Sequence, residues 1–174
     1  MIKVALIGTH GTGKTQICHE LGSELIKLGI PIDYIGETAR KVPAWLEINE
    51  GTTLDAQEWI LHTQIARELE ARKDAVTLCD RGSIDNYAYL QRLFKKPVLD
   101  GLVKWHAGTY SLLLKVPINP DYLTYDGVRS INKPFQAEID TILEKMLADF
   151  EIPFERYTNV ESAIEKIVAL WRRE

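Results

Sequence analysis

A chain of 174 residues, 45% hydrophobic and 26% charged, is long enough to bury a core as one domain and is balanced like a soluble globular protein. Its net charge of -4, with no block of lysine or arginine, argues against a basic nucleic-acid or anionic-lipid surface and disfavours a nucleic-acid partner. No apolar run reaches the ~18 residues of a membrane span, and no charged leader precedes a cleavage site, so the sequence reads as cytoplasmic.

The first apolar run, Ile2 to Ile7, predicts a buried strand that passes directly into "GTHGTGKT", Gly8 to Thr15. Ile17, Leu21, Leu25 and Leu28 then form a helical stripe, with Gly29 as its stop. Pro31 to Gly36 is a second strand, and Leu54, Leu61, Ile65 and Leu69 mark a second helix. Ala75 to Cys79 is a third strand, followed by a helix in "SIDNYAYLQRL". Tyr110 to Leu114 and Pro153 to Tyr157 supply the fourth and fifth strands. Between them lies the stripe Ile139, Ile142, Leu143, Met146, Leu147 and Phe150. Val160, Ala163, Ile164, Ile167, Val168 and Trp171 make the last helix, with Thr158 as N-cap and Glu161 closing a capping box. Strands alternating with helices predict a three-layer α/β sandwich around a parallel sheet, in a single domain spanning 1–174. Two irregular segments, Lys41 to Thr53 and Lys115 to Pro134, are expected to be lids or binding loops. Cys18 and Cys79, among apolar neighbours, read as buried thiols.

Gly8, Gly13, Lys14 and Thr15 satisfy G-x-x-x-x-G-K-[ST] between a strand and a helix. Glycines let successive amides curl around an anion, and the helix N-terminus points its dipole at the same place. The whole loop, Gly8, Thr9, His10, Gly11, Thr12, Gly13, Lys14 and Thr15, is the expected nucleotide-binding segment. Lys14 would reach the terminal phosphates and Thr15 a Mg²⁺ ion. His10 itself reads as a solvated loop residue and not as a catalyst.

The second and third strands each end in an acid followed by an arginine. Asp80 suits a Mg²⁺ ligand beside Thr15; alternatively, Asp80 or Ser83 caps the following helix. Arg81 suits a clamp on transferring phosphate or on the acceptor; alternatively, it is a surface residue paired with Glu37 or Asp85. Glu37 suits an acceptor contact or general base; alternatively, it is an acid at a helix start. Arg40 is a further acceptor candidate. In a parallel sheet these strand ends share one edge, so Gly8, Glu37 and Asp80 should line one crevice. Trp45, Trp59, Trp105, Tyr87 and Tyr89 are either stacking residues or core, and His62 and His106 stand isolated, without metal-ligand spacing.

Together, "GTHGTGKT", "ETAR", "CDRGSIDNYAYL" and "DGVRS" resemble small P-loop kinase-like proteins that are often labelled AAA-domain or ATPase. These are akin to nicotinamide riboside kinases and, more distantly, to deoxynucleoside and thymidylate kinases. The resemblance runs from Met1 to about Trp171. It implies a nucleoside-kinase-like sheet in the order 2-3-1-4-5, with ATP and Mg²⁺ as cofactors. By the same resemblance Lys14, Glu37, Asp80, Arg81 and Arg129 would be catalytic, Thr15 and Asp80 would hold the metal, and Thr158 would lie beside the adenine. Glu37, Arg40, Arg81 and Asp126 would contact the acceptor, with Arg129 reaching the donor phosphates from a lid within 115–134. That segment holds Arg129 as its sole arginine, with Lys115 and Lys133, whereas nucleotide kinases of this kind carry several. The departure favours a neutral acceptor such as a nucleoside or nicotinamide riboside.

A small-molecule kinase is therefore the leading expectation. A P-loop ATPase working with a macromolecular partner, and a nucleotide kinase, are the alternatives. A GTPase is disfavoured because "NKPF" places Phe135 where N-K-x-D needs an acid, and a polynucleotide kinase because of the acidic composition. The acceptor's identity and the oligomeric state, a homodimer among the possibilities, are left open.

Overall fold

Every position of β1 (Ile2–Ile7) is buried, because this strand runs through the middle of the molecule. In the computed structural model, which describes residues 1–94, 99–123 and 130–173, it is flanked by β3 (Val76–Asp80) and β4 (Leu112–Lys115). Outside these lie β2 (Ile32–Ile35) and β5 (Glu155–Arg156). The sheet has five parallel strands in the order β2-β3-β1-β4-β5, as the resemblance implies. All five lie inside the expected runs except at the far ends of β3 and β4, which extend one residue to include Asp80 and Lys115.

Alternation along β1 serves two cores. Ile2, Val4 and Leu6 pack with Ile17, Leu21 and Leu25 of α1 (Lys14–Lys27) and with Ala163 and Ile167 of α6 (Val160–Trp171). Ala5 and Ile7 face the opposite layer, built from α2 (Leu54–Leu69), α3 (Ser83–Phe94), α4 (Asp100–Ala107) and α5 (Lys133–Asp149). Both faces of the sheet are covered, which is why its inner strands read as continuous apolar runs. Cys18 and Cys79 are buried free thiols in the two cores.

Several local expectations fail for physical reasons. Leu28 is the C-cap of α1 and is exposed, because the chain leaves the helix there. Leu69 is also exposed, since each step of four residues rotates a helical stripe by about 40°. The buried face of α2 continues instead through Gln64 and Glu68. Helix α6 is capped by Asn159, whose side chain accepts from Ser162 N–H, and not by Thr158. Helix α4 has no counterpart in the expected pattern.

The polar face of α2 builds a buried layer against the sheet. Lys3 Nζ pairs with Glu68 Oε2 at 2.8 Å, and the Tyr110 hydroxyl donates to Glu68 Oε1 at 2.8 Å. Gln64 Nε2 donates to Glu68 Oε1 at 2.8 Å and to the Arg81 carbonyl at 3.2 Å. Ser83 N–H donates to the Tyr110 hydroxyl at 2.8 Å, and Ser83 Oγ contacts His106 Nδ1 at 3.0 Å. His106 is thus a buried member of a network, not the isolated histidine of the sequence reading. These contacts fix the Arg81–Ser83 turn from beneath.

Candidate active site

The ends of β1, β2 and β3 are level. Leu6 pairs with Asp80 and Ile35 with Cys79, so Gly8, Glu37 and Asp80 emerge along one edge. Gly11, Thr12, Gly13, Lys14, Glu37, Asp80 and Arg81 together line a cup there.

The loop's shape needs its glycines. Gly8 has φ 145°, and a Cβ on it would lie 2.9 Å from the Val116 carbonyl oxygen. Gly13 has φ 84° and packs against the Tyr122 ring, with 3.1 Å to a would-be Cβ. Helix α1 starts from Gly13 with neither a side-chain cap nor an acid in its first turn, an arrangement that suits an anion at its amides. Gln136 Nε2 of α5 steadies the loop by donating to the His10 carbonyl at 2.7 Å. Lys14 Nζ turns back to donate to the Thr9 carbonyl, and to Thr12 Oγ1 at 3.1 Å, leaving the cup no water-sized space. Burial, and then the Arg81 charge, push Lys14 down to about 7, against the opposing pull of Asp85, Asp80 and Glu37.

The Thr15 hydroxyl donates to Asp80 Oδ2 at 2.6 Å. Asp80 therefore caps nothing: Gly82 N–H at the start of α3 donates instead to Asp85 Oδ1 at 2.6 Å. A hydroxyl and a carboxylate side by side are hard oxygen donors and fit Mg²⁺, which keeps its other positions for water and phosphate. Among the described residues no cluster of three or more His, Cys, Asp or Glu could hold a metal ion by itself.

Arg81 is buried, so the expectation of a surface arginine fails, although both of its suggested partners are real. Its Nε donates to Glu37 Oε1 at 2.9 Å, while Nη1 lies 3.4 Å from Asp85 Oδ2 and 3.3 Å from the Gly8 carbonyl. The guanidinium also lies 5.3 Å from the centre of the Tyr89 ring. Arg40 Nε donates to Glu37 Oε2 at 2.8 Å. Burial raises Asp85 to about 6, with Arg81 and Lys14 opposing the rise.

Two cavities flank the cup. One, of about 40 Å³, is lined on its polar side by His10, Glu37, Arg40, Gln57, Arg81 and Asn86, with Tyr89 and Ile60 beside them. The other, of about 410 Å³, is bordered by Thr12, Tyr122, Tyr157 and Thr158. His10 is not a solvated residue. It is buried, its N–H donates to the Tyr89 hydroxyl at 3.0 Å, and its ring packs 5.0 Å from Phe135. Of the aromatic candidates, Tyr89 lines the smaller cavity, Trp45 and Trp105 are exposed, and Tyr87 is buried with its hydroxyl donating to Asp100. Asp126 and Arg129 lie outside the described residues.

Asn86 was missed in the sequence, and Asp85 and Tyr89 were named there only as a partner for Arg81 and as an aromatic candidate. Asp85 and Tyr89 lie four residues apart on one face of α3, which turns both toward Arg81.

With this geometry in place, similarity to known proteins can be read. The family model described as an AAA domain matches residues 3–162. The chain belongs to this AAA domain family. Comparison with curated proteins gives no match. Among solved structures, this AAA domain is similar to deoxyadenosine kinase from M. mycoides with bound dATP, at 15% identity and a TM-score of 0.67, covering 99% of this chain and 100% of that one. It is similar to NadR in complex with NR, at 20% identity and a TM-score of 0.73, covering 95% of this chain but 50% of that one, so it spans about half of NadR. Thymidylate kinase from Ehrlichia chaffeensis matches at 11% identity and a TM-score of 0.64, over 98% of each chain. At these identities the likeness establishes a shared fold, that of the P-loop kinases.

Proposed function

We propose that the chain is a kinase that moves the terminal phosphoryl group of ATP, with Mg²⁺, onto a hydroxyl of a small nucleoside-like acceptor. One observation carries this reading: the phosphate cup lies between two separate cavities, with the Glu37–Arg81 pair bordering both the cup and the smaller of them. A site that only hydrolyses a nucleotide needs one cavity and a water-positioning group. A transferase needs a place on each side of the phosphate in flight.

In this scheme the larger cavity, with Thr158 at its edge, takes the nucleoside end of ATP. The amides from Gly8 to Thr15 hold the phosphates, and Lys14 leaves the Thr9 carbonyl to meet the terminal one. Thr15 and Asp80 would hold the Mg²⁺, whose chemistry there would be to offset negative charge on the phosphate oxygens. Glu37 orients the acceptor hydroxyl and takes its proton as the new O–P bond forms and the bond to the bridging oxygen breaks. Arg81 is placed for the equatorial oxygens, and Arg40 for the acceptor. Arg129, where it reaches the donor phosphates, and Asp126, where it reaches the acceptor, complete the set.

The fold's resemblance to deoxyadenosine kinase and to NadR bound to NR supports a nucleoside-like acceptor. The chain acts as one unit, and its buried free thiols suit a reducing cytoplasm. Among the described residues no helix is long and apolar enough to cross a membrane.

The test is coupled ADP release with nucleosides, nicotinamide riboside, nucleoside monophosphates and short oligonucleotides as acceptors. Stimulation by a nucleoside-class acceptor is expected. Turnover that rises only with a macromolecule, or with nucleoside monophosphates alone, overturns it in favour of an ATPase or a nucleotide kinase.

A further inference from the structure

Gln64 sits on the buried face of α2 among Ile60, Leu61 and Ile65, fully shielded from water. Its Oε1 accepts from Thr38 Oγ1 at 2.6 Å, and its Nε2 donates to the Arg81 carbonyl at 3.2 Å and to Glu68 Oε1 at 2.8 Å. The network admits one orientation of this carboxamide. The Arg81 carbonyl and the Glu68 carboxylate, which is paired with Lys3, can only accept, so the nitrogen faces them. The Thr38 hydroxyl accepts from Arg67 Nη1 at 3.3 Å and gives its own proton to Gln64.

Thr38 and Arg81 belong to different turns: Thr38 follows Glu37 after β2, and Arg81 follows Asp80 after β3. One side chain therefore ties together the two turns whose side chains make the Glu37–Arg81 pair. The tie falls where the backbone most needs it. Arg81 has φ 87° and its N–H is bound to the Leu6 carbonyl at 3.1 Å, so the bond from Gln64 to its carbonyl fixes the other half of a strained residue. A buried polar network met on every arm specifies one arrangement, where an aliphatic contact tolerates several.

Resting on the kinase reading above, we propose that Gln64 is a positioning residue for phosphoryl transfer. It lines neither the cup nor the cavities beside it. It acts through the pair, setting Glu37 at the acceptor hydroxyl in register with Arg81 at the phosphate in flight.

Gln64→Met keeps the bulk and removes all three hydrogen bonds, while Thr38→Val removes only the tie to the Glu37 turn. The readings are kcat and KM with a nucleoside acceptor, counted per calorimetric ATP site, and exchange of the Arg81 Nε–H by NMR, its signal identified by its loss in Arg81→Lys. Gln64→Met is expected to lower kcat about 30-fold, with acceptor KM and ATP Kd within about threefold. In an Arg81→Lys background the same change should cost less than about twofold, since the loss runs through Arg81. The Arg81 Nε–H should exchange about tenfold faster in Gln64→Met, and Thr38→Val should show both effects at about fivefold or less. A merely structural glutamine would lower Tm and leave kcat per ATP site alone. Unchanged kcat in Gln64→Met, losses that multiply in the double variant, or unchanged Nε–H exchange overturns the inference. If Gln64→Met does not fold, Thr38→Val decides by the same readings, and unaltered kcat and exchange there overturn it. Exchange is read without turnover, so faster exchange in a protein that phosphorylates no acceptor would sink the kinase reading and leave the hold of Gln64 on the pair standing.

Discussion

Arg81 Nε donates to Glu37 Oε1 at 2.9 Å and so joins the end of β3 to the end of β2. The same guanidinium touches the Gly8 carbonyl after β1 and the Asp85 carboxylate on α3. Arg81 holds φ 87°, a left-handed conformation costing a side chain other than glycine about 1–2 kcal/mol. Its surroundings overdetermine it: Gln64 holds its carbonyl, and four groups hold its side chain.

Removing this guanidinium leaves the buried Asp85 carboxylate without its arginine, and leaves Glu37 with Arg40. Arg81→Ala should lose about 3–5 kcal/mol of stability in urea unfolding, and Arg81→Ala/Asp85→Asn should recover part of that loss. Arg81→Lys keeps the charge but not the fork, and should keep most of the stability while losing about 100-fold in kcat. Equal stability of the single and double variants would mean that Asp85 is not paired with Arg81.

The Thr15–Asp80 hydrogen bond predicts the metal dependence. Asp80→Asn should raise the Mg²⁺ concentration for half-maximal ADP release about tenfold or more, and Thr15→Ala by a smaller factor. The measurement is a Mg²⁺ titration at fixed nucleotide. An unshifted midpoint in Asp80→Asn would remove Asp80 from the metal site.

The shape of the Gly8–Thr15 loop was legible in the sequence because its determinants are local: three glycines, a lysine and a threonine within eight residues, directly after a strand. The strands were legible because a sheet covered on both faces makes each inner strand a continuous apolar run. Glu37 and Asp80 followed, since parallel strand ends share an edge. Periodicity could not reveal α2's buried Gln64 and Glu68, because their partners Arg81, Lys3 and Tyr110 come from distant elements. His10 was misjudged for the same reason, its partners Tyr89 and Phe135 lying 79 and 125 residues further on. Thr158 lost the cap to the adjacent Asn159, a choice between two good capping residues that composition does not decide.

The smaller cavity, at about 40 Å³, is far below the ~300 Å³ of ordinary ligand sites, so on the kinase reading we expect the lining segment that bears Ile48 and Asn49 to move when an acceptor binds. That motion would strain the hydrogen bond from Ser130 Oγ to Glu50 Oε1, which joins this segment to the one before α5. Trp45 lies close to Ile48 and Asn49 in the chain, is 78% exposed, and is a natural reporter. Acceptor binding should change tryptophan emission in wild type, and the change should vanish in Trp45→Phe with turnover unaltered. A change that survives in Trp45→Phe would place the motion elsewhere.

Lys14 carries the pH dependence. Burial lowers it from 10.5 to about 7, so between these values the unfolded chain binds more protons than the folded one. Stability of the free protein should therefore rise with pH across that window, and the full penalty is present below about 7. Lys14→Ala removes the buried ammonium and should raise the free protein's Tm at pH 7 by about 2–4 °C for each kcal/mol of penalty relieved. It should also flatten the profile above pH 7 and abolish the Tm rise on adding ATP. In the wild type at pH 8, a triphosphate restores the proton, so ATP binding should take up close to one proton, read by calorimetry in buffers of different ionisation enthalpy. Buffer-independent heats at pH 8, or an ATP-induced Tm shift that persists in Lys14→Ala, would mean that the loop lysine does not meet the phosphates.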